Sequence, residues 1–447
     1  MQSTFLRTLR DLVRNNARQY GMVIALAVIV VLFQVLTGGL LLRPLNITNV
    51  IMQNSYVLIL AVGMMLVIIT GHIDLSVGSV VAFTGAASTV LMTSWGLPPL
   101  VVVPLALAMG GLIGAWQGFW IAYVRIPAFI VTLAGMLIFR GATLIVLGGR
   151  SIGPLPQSVR VWASGFVPGF TDGPHLLTLA LGAAGSVALV WVQWRVRARS
   201  LHHGLPAVSA KVNAAKSAAT VAAVMLFAYA MADYNGIPIV GLLLIVLIVG
   251  YAFMMKSTTA GRRIYAVGGS EKAARLSGVK TKRTTFWVFV NMGVLSALAG
   301  LVFTARLNAA TPGAGEMFEL DAIAAAFIGG ASASGGVGTV IGAVVGALVM
   351  GVMNNGMSII GLGVDWQQAI KGLVLLAAVA FDIYNKQRVG SGRSGGTTAR
   401  KGSGSPQAPP ERAQEAPEKE GGTEASLSIS TILMTLTSLL SCLVTCS

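Results

Sequence analysis

The most chemically distinctive residue of this sequence is Asp74, in the segment 71–79 (GHIDLSVGS) between two long apolar runs. If those runs cross a membrane, a carboxylate there costs about 2.5–3.5 kcal/mol and should face a cavity, a partner or an interface. Asp74, Ser76 and Gly78 also fit the start of a helix, where side-chain oxygens accept hydrogen bonds from exposed amides. The segment is therefore either a cap at a tight turn or a broken-helix element beside a polar path.

A second polar stretch begins with three acidic residues, Glu316, Glu319 and Asp321, which we expect at the outer membrane edge. The segment 329–338 (GGASASGGVG) then interrupts the apolar pattern. The helix predicted after it has glycines spaced for close packing and ends in Asn354 and Asn355. Small residues at this density usually mark tight helix contacts. The two amides are also groups that can hydrogen-bond the hydroxyls of a neutral solute but cannot neutralise a strongly charged one.

Enzymatic chemistry has no recognisable motif in this chain. The sequence contains no G-x-x-x-x-G-K-[ST] phosphate loop and no H-E-x-x-H, and no G-x-S-x-G pattern in it rises above chance. The four histidines have no metal-ligand partner at suitable spacing, and the two cysteines lie near the C-terminus. We therefore predict that the chain is not an enzyme, has no cofactor or metal of its own, and serves as a channel or transporter subunit.

Composition places these residues in a membrane protein. Of the 447 residues, 55% are hydrophobic and 10% charged, and the mean hydropathy is +0.78. An uncharged run of about 20 residues is long enough to cross the hydrocarbon core as a helix. The sequence predicts an all-α polytopic fold of about 10–12 transmembrane helices, and the run at 320–330 is short enough to be a half-helix or re-entrant segment. The runs are 21–42, 47–70, 75–93, 97–124, 128–147, 175–194, 213–232, 237–255, 285–305, 320–330, 339–360 and 367–381.

Basic residues set the predicted orientation. The net charge of +16 lies in residues 1–388, because the remainder has five bases and five acids. When the predicted spans are counted from the N-terminus, each Lys/Arg cluster follows an even number of them, so all clusters lie on the same side as the N-terminus. Because loops rich in Lys/Arg stay in the cytoplasm, this predicts a cytoplasmic N-terminus and places 149–174 and 306–319 outside. The clustering argues against a nucleic-acid partner, since no basic groove with interleaved aromatics lies outside these loops. The clustered bases are Arg7, Arg10, Arg14, Arg18, Arg195, Arg197, Arg199, Lys211, Lys256, Arg262, Arg263, Lys272, Arg275, Lys280, Lys282, Arg283, Lys386 and Arg388.

Three regions follow from these patterns. Residues 1–19 are predicted to form a cytoplasmic amphipathic segment on the bilayer surface. Residues 20–388 form the transmembrane domain, which includes a long cytoplasmic loop at 256–284. Residues 389–447 are a low-complexity tail, disordered or the product of an extended reading frame. An additional membrane anchor that places the C-terminus outside is the alternative for the tail.

The cytoplasmic loop contains a predicted short helix. The stretch 271–278 (EKAARLSG) combines helix formers with an acid at its start, Arg275 four residues after Glu271, and Gly278 as a stop signal. Such a helix beneath a membrane domain is suited to docking into a groove of a soluble partner. A solvated charged turn is the alternative.

At these three stretches the chain resembles the integral membrane permease subunits of bacterial ABC importers for monosaccharides such as ribose, arabinose, galactose and xylose. The likeness is nearest to the D-xylose and multiple-sugar type. It is carried by IDLSVGS at 73–79, GRRIYAVGGSEKAARLSGVK at 261–280 and the long run 306–385. The resemblance extends over about residues 20–388 and is weaker through 150–235.

The resemblance implies a second permease copy, a cytoplasmic ATPase subunit with tandem domains that bind ATP and Mg²⁺, and a periplasmic sugar-binding protein, all at the bacterial inner membrane. It implies that the cytoplasmic loop couples ATPase closure to the membrane helices, although Glu271 lies one place earlier than the acid of the E-A-A-x-x-x-G pattern. The coupling residues would be Glu271, Ala273, Ala274, Arg275 and Gly278. The translocation path or broken-helix elements would include Asp74, Ser76, Gly78, Asn354 and Asn355.

The hypothesis from the sequence is an ATP-driven importer subunit for a neutral monosaccharide, D-xylose or a related sugar. An ion-coupled secondary transporter is one alternative, with Asp74 as its best candidate for an ion site. A membrane scaffold or receptor component without transport is another. Within the ABC class, permeases for nucleosides or branched-chain amino acids share this architecture and stay open as alternatives.

Overall fold

The computed structural model describes residues 17–168, 175–204 and 209–391, so most of the predicted 1–19 segment and nearly all of the 389–447 tail lie outside the described residues. The described residues are predominantly helical and contain no β-strand, which confirms the all-α prediction. The helices are α1 Ala17–Leu36, α2 Pro44–Gln53, α3 Ser55–Ile69, α4 Val77–Thr93, α5 Pro99–Phe119 continued by a π-helical turn Trp120–Val124, α6 Ala128–Leu147, α7 Gln157–Ser164, α8 Leu176–His202, α9 Ala210–Ala232, α10 Ile239–Ser257, α11 Thr259–Gly269, α12 Glu271–Leu276, α13 Thr281–Leu307, α14 Phe318–Ile328, α15 Val340–Ile359 and α16 Val364–Ser391.

Seven of the described helices are long and apolar enough to cross a membrane: α5 with its π turn, α6, α8, α9, α10, α13 and α15. The pair α2 and α3, bent by 48°, passes together as an eighth span. Two shorter apolar helices lie at Gly21–Leu36 and Val77–Thr93, so the described residues contain seven or eight candidate spans and two shorter apolar helices. Helix α14 has 11 residues and covers only about 16 Å, which matches the half-helix predicted at 320–330.

Helix α3 lies at the centre of the fold and is buried over almost its whole length. The long helix α13 packs against α3, α4 and α5. Small residues allow this approach: a Cβ built on Gly110 of α5 would lie 2.4 Å from the carbonyl oxygen of Gly293 on α13, and the reverse distance is 2.1 Å. Helix packing within a bilayer relies on such close backbone approach because lipid provides no hydrophobic driving force between helices.

The segments predicted to lie outside contact each other. Ile152 forms an antiparallel bridge with Ala310, with N–O distances of 3.0 and 2.9 Å. The amide of Leu155 donates to Oδ1 of Asn308 at 2.9 Å. The loops after α6 and after α13 therefore share one side of the fold, as the parity of the basic clusters requires.

A candidate coupling site beneath two broken helices

The loop predicted to be cytoplasmic folds into α11 and α12. Ser270 caps α12, because its Oγ accepts a hydrogen bond from the amide of Ala273 at 3.2 Å. The helix ends before Gly278, which takes φ +82°, a left-handed conformation that glycine adopts at little cost. The helix predicted at 271–278 is thus confirmed and spans Glu271–Leu276.

Some of the predicted coupling residues contact the rest of the fold, and others are exposed on its surface. Ala274 is buried, and Oε1 of Glu271 accepts a hydrogen bond from the Thr281 hydroxyl at 3.2 Å, which ties α12 to the start of α13. Ala273 and Arg275 are exposed, and Leu276 is 89% exposed. An apolar side chain this exposed on a short helix is available to a protein partner.

The end of α11 meets two other segments at one backbone group, the carbonyl of Ile69. A Cβ built on Gly268 would lie 1.7 Å from that oxygen and 2.7 Å from the amide nitrogen of Gly336. The Gly336 amide itself donates to the same oxygen at 2.8 Å. We call this contact of Gly268, Ile69 and Gly336 the Ile69 junction. It joins the end of α11, the end of α3 and the 329–338 segment.

A second contact reinforces the junction. The phenol of Tyr265, on α11, donates a hydrogen bond to the carbonyl oxygen of Gly338 at 2.7 Å. Burial raises the pKa of Tyr265 above its ordinary value, so the phenol, which is protonated at neutral pH in any case, also keeps its proton in more alkaline solution. Helix α11 is therefore fixed both to α3 and to the segment that leads into α15.

The first predicted path element follows α3 directly. Helix α3 ends at Ile69 and α4 begins at Val77, so the chain is non-helical in between. Asp74 is 2% exposed, and its Oδ1 accepts hydrogen bonds from the amide of Ser76 at 2.9 Å and from its hydroxyl at 2.6 Å. Gln117 of α5 donates to the Ser76 hydroxyl at 2.7 Å. Asp74 thus accepts both bonds within the turn before α4, while Ser76, the residue that precedes the helix, makes no side-chain capping bond to it.

Gly78 connects this element to the third polar stretch. A Cβ at Gly78 would lie 2.2 Å from the Gly315 carbonyl oxygen and 2.3 Å from Oε2 of Glu319. Glu316 is exposed, whereas Glu319 and Asp321 are 9% and 2% exposed. Of the three acids, only Glu316 lies on the surface of the fold. The other two acids are buried because α14 starts inside the helix bundle.

Asp321 forms an ion pair that the sequence did not reveal. Nζ of Lys371, on α16, lies 3.1 Å from its Oδ1 and 3.3 Å from its Oδ2, and the side chains are 22% and 3% exposed. Beside the pair is a cavity of about 80 Å³ between α14, α15 and α16, well below the roughly 300 Å³ at which small-molecule pockets begin. In the sequence, the sign of this ion pair was Lys371, a single base inside the apolar run 367–381.

Asn354 and Asn355 contact different helices. The Asn354 amide reaches Oδ2 of Asp321 at 3.5 Å. Asn355 exchanges two hydrogen bonds with Asn46 of α2, at 2.8 and 3.0 Å. The structure thus brings Asn354 to the ion pair and makes Asn355 a packing contact, while Asp74 and Ser76 form a separate cluster with Gln117.

The Asn46–Asn355 pair should stabilise the bent span. Because Asn355 is buried and Asn46 is half-buried, each amide loses a partner that water does not fully replace, and Asn46→Ala and Asn355→Ala should each cost about 1–2 kcal/mol. A double-mutant cycle of unfolding in mixed micelles should give a coupling of roughly 1 kcal/mol. Additive losses would contradict the pairing.

Comparison with known proteins identifies the class. The sequence profile described as "Branched-chain amino acid transport system / permease component" matches residues 46–379, which include the Ile69 junction and the Asp321–Lys371 pair. The chain belongs to this permease family. This match confirms the resemblance found in the motifs of the permease. No solved structure matches the permease.

Relatives of the permease match it over most of its length. The xylose transport system permease protein XylH of Escherichia coli (strain K12) is 40% identical over 375 residues, 83% of this chain and 93% of the relative. The protein of that name from Haemophilus influenzae is 40% identical over 376 residues, 84% and 98% of the two chains. The ribose import permease protein RbsC of Haemophilus influenzae is 35% identical over 339 residues, 76% and 85%.

Proposed function

We propose that this permease is the membrane subunit of an ATP-driven ABC importer that carries a neutral monosaccharide, D-xylose or a closely related sugar, into the bacterial cytoplasm. The similarity to two xylose permeases along almost their full length supports the substrate class. The lesser similarity to a ribose permease is consistent with a pentose.

The Ile69 junction carries the mechanistic part of the proposal. A movement of α11 and α12 acts on the carbonyl of Ile69, and the chain from Ile69 leads within seven residues to Ser76 and the start of α4. The same movement acts through Gly336 and Gly338 on the start of α15. Contacts at Ile69, Gly336 and Gly338 therefore link the exposed loop to the segments that precede α4 and α15, and coupling needs a physical connection of this kind.

The partners in this proposal are those of an ABC importer. A tandem ATPase subunit, which binds ATP and Mg²⁺, docks against α12 from the cytoplasm. A periplasmic sugar-binding protein delivers substrate from the opposite side, and a second permease copy completes the membrane domain. The N-terminus lies in the cytoplasm and the complex in the inner membrane, since the clustered bases then face inward.

Reconstituted transport tests this function. The permease, its ATPase and its sugar-binding protein are placed in proteoliposomes, and uptake of labelled D-xylose, D-ribose and leucine is measured with and without enclosed ATP. We expect ATP-dependent accumulation of xylose above that of ribose, and none of leucine. Accumulation without ATP that stops when an ion gradient is collapsed would instead establish the secondary transporter. Leucine uptake would establish an amino-acid permease.

Leu276 should be important for the partner and unimportant for the fold. Because its side chain is 89% exposed, Leu276→Glu should leave the thermal stability of the permease unchanged. It should lower transport and co-purification of the ATPase by at least about tenfold, since losing an interface hot spot costs about 2 kcal/mol or more. Ser277→Ala, an exposed neighbour, is the matched control. Normal ATPase binding by Leu276→Glu would refute docking at α12.

A further inference from the structure

Helices α8 and α9 form a hairpin that extends beyond the hydrocarbon core. Helix α8 has 27 residues and is about 40 Å long, whereas the core is roughly 30 Å thick. The two helices pack mainly on each other, and less than a fifth of each apolar window is buried in the fold. One end of the hairpin must therefore lie in the lipid headgroup region.

Charge identifies that end. The sequence from 176 to 232 contains five Lys/Arg residues and no Asp or Glu. The five bases lie in the last third of α8 and the first third of α9, at the predicted cytoplasmic face: Arg195, Arg197, Arg199, Lys211 and Lys216.

Aromatic side chains lie at the boundary between the apolar and basic parts of α8. The guanidinium of Arg195 lies 4.0 Å from the centroid of the Trp191 ring, and that of Arg197 lies 5.7 Å from the Trp194 ring. Trp191 and Trp194 are 55% and 39% exposed. Exposed tryptophans next to bases are typical of the membrane–water interface.

Hydrogen bonds between the two helices hold their basic ends side by side. Gln193 accepts from the Ser217 hydroxyl at 2.9 Å and donates to the Thr220 hydroxyl at 3.1 Å. These bonds lie at the level of Trp194 and Lys216. The hairpin end is therefore a preformed basic surface and not two independent charged arms.

We propose that this basic hairpin end binds the headgroup phosphates of anionic phospholipids in the cytoplasmic leaflet. The complementarity of charge, the position at the headgroup level and the flanking tryptophans all match a phosphodiester at the bilayer surface. An anionic lipid bound there anchors the hairpin, which the rest of the bundle contacts only weakly.

Native mass spectrometry of the full-length permease tests the proposal, with phosphatidylglycerol or phosphatidylcholine titrated into detergent micelles. We expect preferential retention of phosphatidylglycerol. The variant Arg195→Gln/Arg199→Gln/Lys211→Gln/Lys216→Gln should weaken phosphatidylglycerol binding at least about tenfold, with little change for phosphatidylcholine. The control Arg150→Gln/Arg160→Gln removes exposed bases of the opposite side and should bind like the wild type.

Three results would overturn the proposal. They are equal retention of the two lipids by the wild type, unchanged binding by the quadruple variant, and equal weakening by the control. Displacement of the lipid by inorganic phosphate at millimolar concentration would assign the surface to a soluble anion instead. Thermal unfolding in phosphatidylcholine alone detects misfolding, and a lower melting temperature of the quadruple variant there would also count against a lipid-specific effect.

Discussion

Gly268→Ala is expected to reduce sugar transport at least tenfold while the neighbouring change Gly269→Ala leaves it nearly unchanged. A Cβ at Gly268 would lie 1.7 Å from the Ile69 carbonyl oxygen, whereas contacts under 3.0 Å are essentially never observed. Helix α11 would have to move by about 1.3 Å. Overpacking typically costs about 1–3 kcal/mol, and the lower part of that range corresponds to a tenfold change.

The two glycines form a matched pair, because a Cβ at Gly269 meets nothing within 4 Å. Both substitutions add the same methyl group to adjacent positions of one helix. ATP-dependent uptake and ATPase activity of the reconstituted complex are the measurements. We expect Gly268→Ala to retain ATP hydrolysis and lose transport. Equal effects of the two substitutions would show that the Ile69 junction does not transmit movement.

Tyr265→Phe provides a milder test if Gly268→Ala prevents folding. It removes one hydroxyl and the hydrogen bond to the Gly338 carbonyl, with no steric conflict. A fewfold loss of transport at unchanged expression would support coupling through the 329–338 segment, since a neutral hydrogen bond contributes about 1 kcal/mol.

The second large effect is expected at the buried ion pair. Lys371→Met leaves the Asp321 carboxylate without its cation among buried helices, and breaking such a pair typically costs about 3–5 kcal/mol. We expect strong destabilisation, measured as a shift in detergent-induced unfolding and as lower yield of monodisperse protein. Methionine has about the length of lysine, so the packing against α14 changes little.

The double variant Asp321→Asn/Lys371→Met separates charge from packing. It removes both charges and keeps an amide beside Asn354, so most of the lost stability should return. If the double variant is as unstable as Lys371→Met, the cost arises from packing. If it is stable but transports poorly, the pair has a role in moving α14 and α16.

Much of the architecture was predictable because its signals are local. Apolar runs of sufficient length predict spans in any fold. The apolar run 320–330 is too short to cross a bilayer, which already indicated the half-helix α14. The short helix before Gly278 followed from helix formers and a left-handed stop residue. The bend between α2 and α3 was not predicted, because the run 47–70 is apolar on both sides of Asn54.

The candidate site was only partly predictable. The sequence indicated segments 71–79, 258–283 and 329–338 but not their contact, since Ile69 and Gly268 are far apart in the chain and meet through backbone atoms. The amide pattern suggested equal roles for Asn354 and Asn355. The structure directs one to Asp321 and the other to Asn46, because adjacent residues of a helix point about 100° apart.

The sequence by itself determined that this chain is a polytopic helical membrane protein with a short charged helix in a long loop, because hydropathy, charge distribution and capping act over a few neighbouring residues. Only the tertiary structure decided which groups those elements bring together. Lys371 is an unusual base in an apolar helix until α14 places Asp321 beside it, and Gly268 is an ordinary glycine until Ile69 approaches it. Such partners are chosen by helix packing, which depends on contacts between residues distant in sequence.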